Sequence, residues 1–159
     1  MQAIRILWGS GRGPTSTAAY DAALAAANVH NYNLVSVSSV IPPGTPIDVV
    51  GDSPDLGPPG NRLTVVEARS TVRPGEADRV AAGLGWAREP QGPGIFYEAG
   101  GTDPDAVRGR IHDGLEAGKG LRGWAFDIQA DRIVDTEAAT DAFTTVVVLA
   151  VYGRSTPIL

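Results

Sequence analysis

Two adjacent serines, Ser38 and Ser39, stand between Val37 and Val40, just ahead of a Pro42-Pro43-Gly44 break. A serine hydroxyl becomes a nucleophile when a base takes its proton and a third group orients that base. His30 is close enough in sequence to face Ser39, but the chain has no Gly-x-Ser-x-Gly elbow, so an ordinary serine hydrolase is a poor fit. A metal centre fits no better, because His30 and His112 are far apart and neither has a ligand-spaced partner. The run Gly9-x-Gly11-x-Gly13 invites a phosphate-loop reading but lacks the lysine and the glycine spacing such loops need. Two carboxylates complete the inventory. Asp21 is the single charge in an alanine-rich stretch and Glu98 lies beside Phe96 in an apolar run. Taken by themselves, Ser38 and Ser39 read as turn-capping hydroxyls before Pro42, and Asp21 as a solvated helix position.

The elements that must carry these groups follow from local pattern. Ala3–Trp8 reads as a first strand and Gly9–Pro14 as a glycine-rich loop. Thr15-Ser16-Thr17 offers N-cap hydroxyls to a helix over Ala18–Ala27, where seven of ten residues are alanine. Asparagines at 28 and 31 suit the left-handed cap that ends it. The segment from Asn31 to Val40 is strand-like, and Pro42-Pro43 ends any ladder because proline donates no N–H. Thr45–Asn61, rich in proline and glycine, reads as a loop. Arg62–Arg73 reads as a strand, whereas Ala77–Trp86 carries no decisive pattern. In Gly94–Ala99 alternation puts Phe96 and Glu98 on one face, which makes Glu98 a candidate for burial. A second helix begins at Pro104 with Val107, Ile111 and Leu115 as its buried stripe and ends by Gly118–Gly120. Arg122–Phe126 and Thr144–Tyr152 read as the last strands, the latter apolar enough to be central. Mixed strands with two helices predict a layered α+β sheet protein with its helices outside.

Bulk composition narrows the partners. The 159 residues suit one domain, and 43% hydrophobic with 19% charged residues is ordinary for a folded soluble chain. A formal net charge of -5 argues against nucleic acid and suits a cationic ligand. There is no cysteine, which excludes disulfides and thiolate chemistry. No apolar run approaches the roughly 20 residues of a membrane span, and the apolar start is too short for a signal peptide. The expectation is a cytoplasmic protein without membrane contact.

The pattern Asn31-x-Asn33-Leu34-x-x-x-Ser38-Ser39-x-Ile41-Pro42-Pro43 resembles the self-cleavage segment of the pyruvoyl-dependent arginine decarboxylases. Further elements agree in order: Ala19-Tyr20-Asp21-Ala-Ala-Leu24, a strand glutamate at Glu98, and Arg122-Gly123-Trp124. The similarity runs from about Ile4 to Tyr152. It implies an αββα sandwich assembled as a homotrimer or a dimer of trimers, with active sites between subunits. It also implies that Ser39 attacks the Ser38 carbonyl, splitting the chain into residues 1–38 and 39–159 and leaving a covalent pyruvoyl group on the second. Neither metal nor pyridoxal phosphate is expected. The implied reaction is decarboxylation of a small cationic amino acid, arginine to agmatine. The resemblance makes Glu98 the proton donor and Asp21 the partner of the substrate guanidinium, with Ser38 also at the substrate. Asn33 is a candidate oxyanion donor, since six residues along a strand keep it on the face of Ser39.

This sequence departs from the family pattern at Asn28 and His30, where glycine is expected close to the active-site segment; bulkier side chains there would narrow the pocket or add a donor. An uncleaved relative of the same fold, binding a small cation or serving as an assembly partner, is the alternative reading.

Overall fold

The computed structural model describes residues 2–159. Its nine strands and two helices follow in the order β1 (Ile4–Gly13), α1 (Ser16–Ala26), β2 (Asn33–Ser36), β3 (Val40–Ile41), β4 (Ile47–Gly51), β5 (Arg62–Val72), β6 (Arg79–Arg88), β7 (Gly94–Gly101), α2 (Pro104–Gly120), β8 (Ile128–Glu137) and β9 (Phe143–Tyr152). One mixed sheet has the order β2-β5-β9-β1-β4; the other, antiparallel throughout, has the order β3-β7-β6-β8. The sheets stack on each other with α1 outside the first and α2 outside the second, so the architecture is the expected αββα sandwich.

Three apolar layers hold it together. Val66, Ala68, Val80, Leu84, Trp86, Phe96, Val146 and Val148 fill the space between the sheets. Leu7, Ala23, Leu24, Val65, Val147 and Leu149 join α1 to the first sheet, and Val107, Ile111 and Leu115 join α2 to the second. Strand β9 is central and covered on both faces, as its unbroken apolar run predicts. Thr15 caps α1 by accepting from the Ala18 amide at 3.1 Å, and Asp103 caps α2.

Three sequence expectations need correction, and one unassigned stretch is resolved. The glycine run is no loop: β1 extends through Gly13, and Gly9, Gly11 and Gly13 alternate on the face under α1. A Cβ on Gly13 would stand 2.7 Å from the Ala19 amide nitrogen, and one on Gly9 or Gly11 would run into the backbone at Ala23. The glycines and the alanines are two halves of one close helix-to-sheet contact. The undecided stretch around Ala77–Trp86 is strand β6, buried on both sides. Its helix-facing residues are Ala81, Gly83, Gly85 and Ala87, small because Ile111 and Leu115 of α2 press onto them. The strand expected at Arg122–Phe126 is coil without ladder pairing, and the strand lies later, in β8. Strand β8 is an edge strand with much of its length exposed, which dilutes its apolar alternation. Within the proline-rich stretch, Ile47–Gly51 pairs in parallel with β1 as the opposite edge of the first sheet.

Gly11→Val should force side-chain atoms into the α1 backbone and destabilise the fold by about 3 kcal/mol, lowering Tm by roughly 6–12 °C. Thermal unfolding checks this against Ser10→Ala, an exposed position on the same strand, expected to stay within about 2 °C of the parent.

Candidate active site

The serine pair occupies the shortest connection, among the described residues, by which the chain passes from a strand of one sheet to a strand of the other. Strand β2 pairs with β5 through Ser36, and the Val37 amide still donates to the Val65 carbonyl at 3.0 Å. Three residues later, Val40 pairs with Ile95 of β7 in the opposite sheet. Between these anchors Ser39 takes φ +64, the left-handed region. For a residue with a Cβ that conformation costs about 1–2 kcal/mol. Bonds on both sides hold it. The Ser39 carbonyl accepts from the Phe96 amide at 2.8 Å, and the Val40 carbonyl accepts from the Tyr152 hydroxyl at 2.8 Å. Ile41 follows, fully buried between the sheets.

Beside the crossing lies a cavity of about 330 Å³ lined by Ser38, Ser39, Ile95, Phe96, Tyr97, Glu98 and, from α2 and its end, Gly114, Ala117, Gly118, Leu121 and Arg122. The Ser39 hydroxyl donates to Glu98 Oε2 at 3.3 Å. The strand alternation of β7 aims both Phe96 and Glu98 inward, but β3 covers only Gly94 and Ile95 of that edge. Phe96 is therefore buried and Glu98 is open to solvent, not buried as its pattern suggests. Gly114 gives the Tyr97 ring a flat place to lie, and Gly118 leaves room beside Ile95 and the Arg122 guanidinium. These small residues recur at three- and four-residue spacing on α2, a stripe legible in the sequence.

Not every expected residue joins this cavity. Asn33 stays in the first sheet, where its Nδ2 donates to the Gly60 carbonyl at 2.7 Å. Strand parity does not carry it to Ser39, because the strand ends at Ser36 and the backbone turns before Ser39. Asp21 is exposed on α1, outside the first sheet. Its neighbour Tyr20 donates to Glu67 Oε2 at 2.6 Å, and the Arg69 guanidinium lies 4.6 Å from the Tyr20 ring centre. Asn28 and His30 line a separate cavity of about 470 Å³ with Asn31, Tyr32 and Asp55, so they do not narrow the serine pocket of this chain. Asn28 takes the left-handed conformation its cap position predicts, φ 60, and its side chain donates to the Ser53 carbonyl at 2.8 Å. Tyr152 was legible only as a strand residue; nothing in its sequence context announces the bond that fixes Val40.

Burial pushes the Tyr152 phenol up to about 12. Burial, and then the hydrogen bond to Glu67, pushes Tyr20 far above the usual tyrosine range. A raised folded value means that the stabilising contribution is complete below about pH 10, the unfolded value, and is lost as pH rises beyond it. Urea unfolding from pH 9 to 12 should therefore show falling stability. Tyr152→Phe should flatten that fall while lowering stability at neutral pH by about 1 kcal/mol for the lost hydrogen bond. Identical slopes for parent and variant would contradict the assignment.

A model of the family described as pyruvoyl-dependent arginine decarboxylase matches residues 3–157. A relative of that name from Halobacterium salinarum is 51% identical over 99% of this chain and 98% of its own length. Others so named from Methanopyrus kandleri and Thermococcus sibiricus are 35% and 34% identical, covering 72% and 75% of this chain and the same shares of their own.

Proposed function

Since the chain belongs to the pyruvoyl-dependent arginine decarboxylase family, we propose that it cleaves itself between Ser38 and Ser39 and then decarboxylates arginine to agmatine. The observation that carries this is the left-handed Ser39 with its hydroxyl on Glu98 inside the serine cavity. Glu98 draws the proton from Oγ, and Oγ attacks the Ser38 carbonyl. The C–N bond breaks as the O–C bond forms, moving the acyl group from nitrogen to oxygen and releasing strain stored at residue 39. Loss of the Cα proton of residue 39 then expels the Ser38 carboxylate, and the dehydroalanine left behind hydrolyses with release of ammonia to a pyruvoyl group. The products are residues 1–38 and 39–159.

The cavity fits that group, since it places residue 39 beside one carboxylate and a mostly apolar wall of Ile95, Phe96 and Tyr97. When formed, the pyruvoyl supplies the ketone and electron sink on which an amino acid loses carbon dioxide. Glu98 then delivers a proton to the former α-carbon. Ser38, now a chain end, borders the substrate. Asn33 enters as a support that fixes the start of β2 through Gly60, not as the oxyanion donor.

Asp21 holds the substrate guanidinium through a bidentate pair. Because Asp21 does not line the cavity of its own chain, a second copy must bring it, which supports a homotrimer or dimer of trimers with sites between subunits. Val35, Val37, Val40 and Leu121 expose apolar side chains around the crossing, as surface awaiting a neighbour would. A free amino acid as substrate suits a cytoplasmic setting.

Intact mass under denaturing conditions tests the cleavage. The parent should give two fragments, the larger without a free amine. Ser39→Ala should remain one chain of 16.5 kDa, and normal cleavage in that variant would overturn the nucleophile. A parent that stays whole would favour the non-enzymatic alternative. Asp21→Ala should cleave normally yet raise the KM for arginine about 10- to 100-fold, the scale of a lost charged hydrogen bond. Unchanged saturation in steady-state assays would reject the guanidinium role.

A further inference from the structure

We propose that Arg122 receives the α-carboxylate of the substrate and so selects an amino acid over its decarboxylated product; this rests on reading the serine cavity as the decarboxylase site. Two charged side chains line that cavity, Glu98 and Arg122. An amino acid condensed at residue 39 brings a further carboxylate into a space already holding Glu98. A carboxylate set against the wall of Ile95, Phe96 and Tyr97 is poorly solvated unless a cation pairs with it. Arg122 is the cation available.

Its geometry is that of a prepared site. Nη1 donates to the Gly118 carbonyl at 2.9 Å, and the guanidinium lies 5.5 Å from the Trp124 ring centre. Those contacts fix the planar group and leave donors free. Among the described residues no carboxylate comes within 4.0 Å of it. Gly118 keeps the approach open, since a Cβ there would stand 2.7 Å from Ile95 and 3.8 Å from Arg122 Nη1. The coil at Arg122–Phe126, free of ladder pairing, lets Trp124 pack on the α2 layer while Arg122 turns to the cavity.

The substrate is then read at both ends by opposite charges, its guanidinium by Asp21 and its carboxylate by Arg122. Loss of carbon dioxide removes the group that Arg122 holds, so the contact favours binding of substrate and release of product. It acts in the ground state and belongs to KM more than to kcat.

The test uses the cleaved enzyme. R122Q should give the two fragments on intact mass, raise the KM for arginine about 10- to 100-fold, and leave kcat and the inhibition constant of agmatine within about threefold. R122K should recover part of the loss. Equal weakening of arginine and agmatine would overturn the proposal, as would an unchanged KM. A second measurement needs no variant. 5-Guanidinovalerate, which keeps the carboxylate, should inhibit the parent enzyme at least about tenfold more tightly than butylguanidine, which lacks it; equal inhibition would overturn the assignment. A parent chain that stays whole, or is cleaved but inactive on arginine, removes the decarboxylase reading beneath the proposal. A cleaved, arginine-active enzyme indifferent to the carboxylate removes Arg122 alone.

Discussion

Three residues have to carry the backbone from one sheet to the other. Stacked sheets lie about 10 Å apart, and three residues reach about 10 Å when fully extended. The last bond to the first sheet is made by the Val37 amide, and the first bond to the second by the Ser39 carbonyl. The connection is short, and within it Ser39 turns into the left-handed region so that its carbonyl meets the Phe96 amide of the second sheet. Neither end can relax. Upstream, Val37 and β2 are tied to β5; downstream, Ile41 is sealed in the core and Val40 is held by Tyr152. The cost of the conformation is borne by the whole sandwich. A peptide bond under such constraint, with a hydroxyl one residue beyond it and a carboxylate on that hydroxyl, is chemically primed in a way that a free loop is not.

Close packing on both outer faces keeps that crossing in register. On one side the alternating glycines of β1 let the backbone of α1 sink onto the sheet; on the other, Gly83 and Gly85 of β6 let Ile111 and Leu115 approach. Sinking the second helix brings the small stripe of Gly114, Ala117 and Gly118 to the wall of the serine cavity. The helix packing that Gly83 and Gly85 permit therefore helps set the shape of the pocket. The Trp86–Phe96–Tyr152 aromatic series, with ring centres 6.2 and 6.3 Å apart, runs from the core to the hydroxyl that anchors Val40.

Charge is distributed with similar economy. Glu98 and Arg122 face one cavity, Asp21 faces outward on the other side of the sandwich, and Tyr20, Glu67 and Arg69 close among themselves beside Asp21. The charged residues proposed to read the substrate are thus divided over the surface of a single chain, which is why the proposed site needs a second copy.

Sequence alone determined the layers. The strand patterns of β5 and β7, the unbroken apolar run of β9, the alanine helix, and the stripe Val107, Ile111 and Leu115 are local signals, and each stands where its pattern put it. The serine pair was legible as chemistry through the family pattern around it; by themselves the two hydroxyls read as turn caps before Pro42-Pro43. Tertiary structure decided the rest. Nothing local distinguishes glycines of a loop from glycines under a helix; the difference is what covers them, and α1 covers Gly9, Gly11 and Gly13. Strand parity failed to bring Asn33 to Ser39 because it assumes one continuous strand, and the chain changes sheets between them. Glu98 lies open because β3 is two residues long, a matter of where the ladder stops and not of the residues beside it. A left-handed serine is invisible in sequence, since Ser has no preference for it; the bonds fixing each end of the crossing to two different sheets hold it.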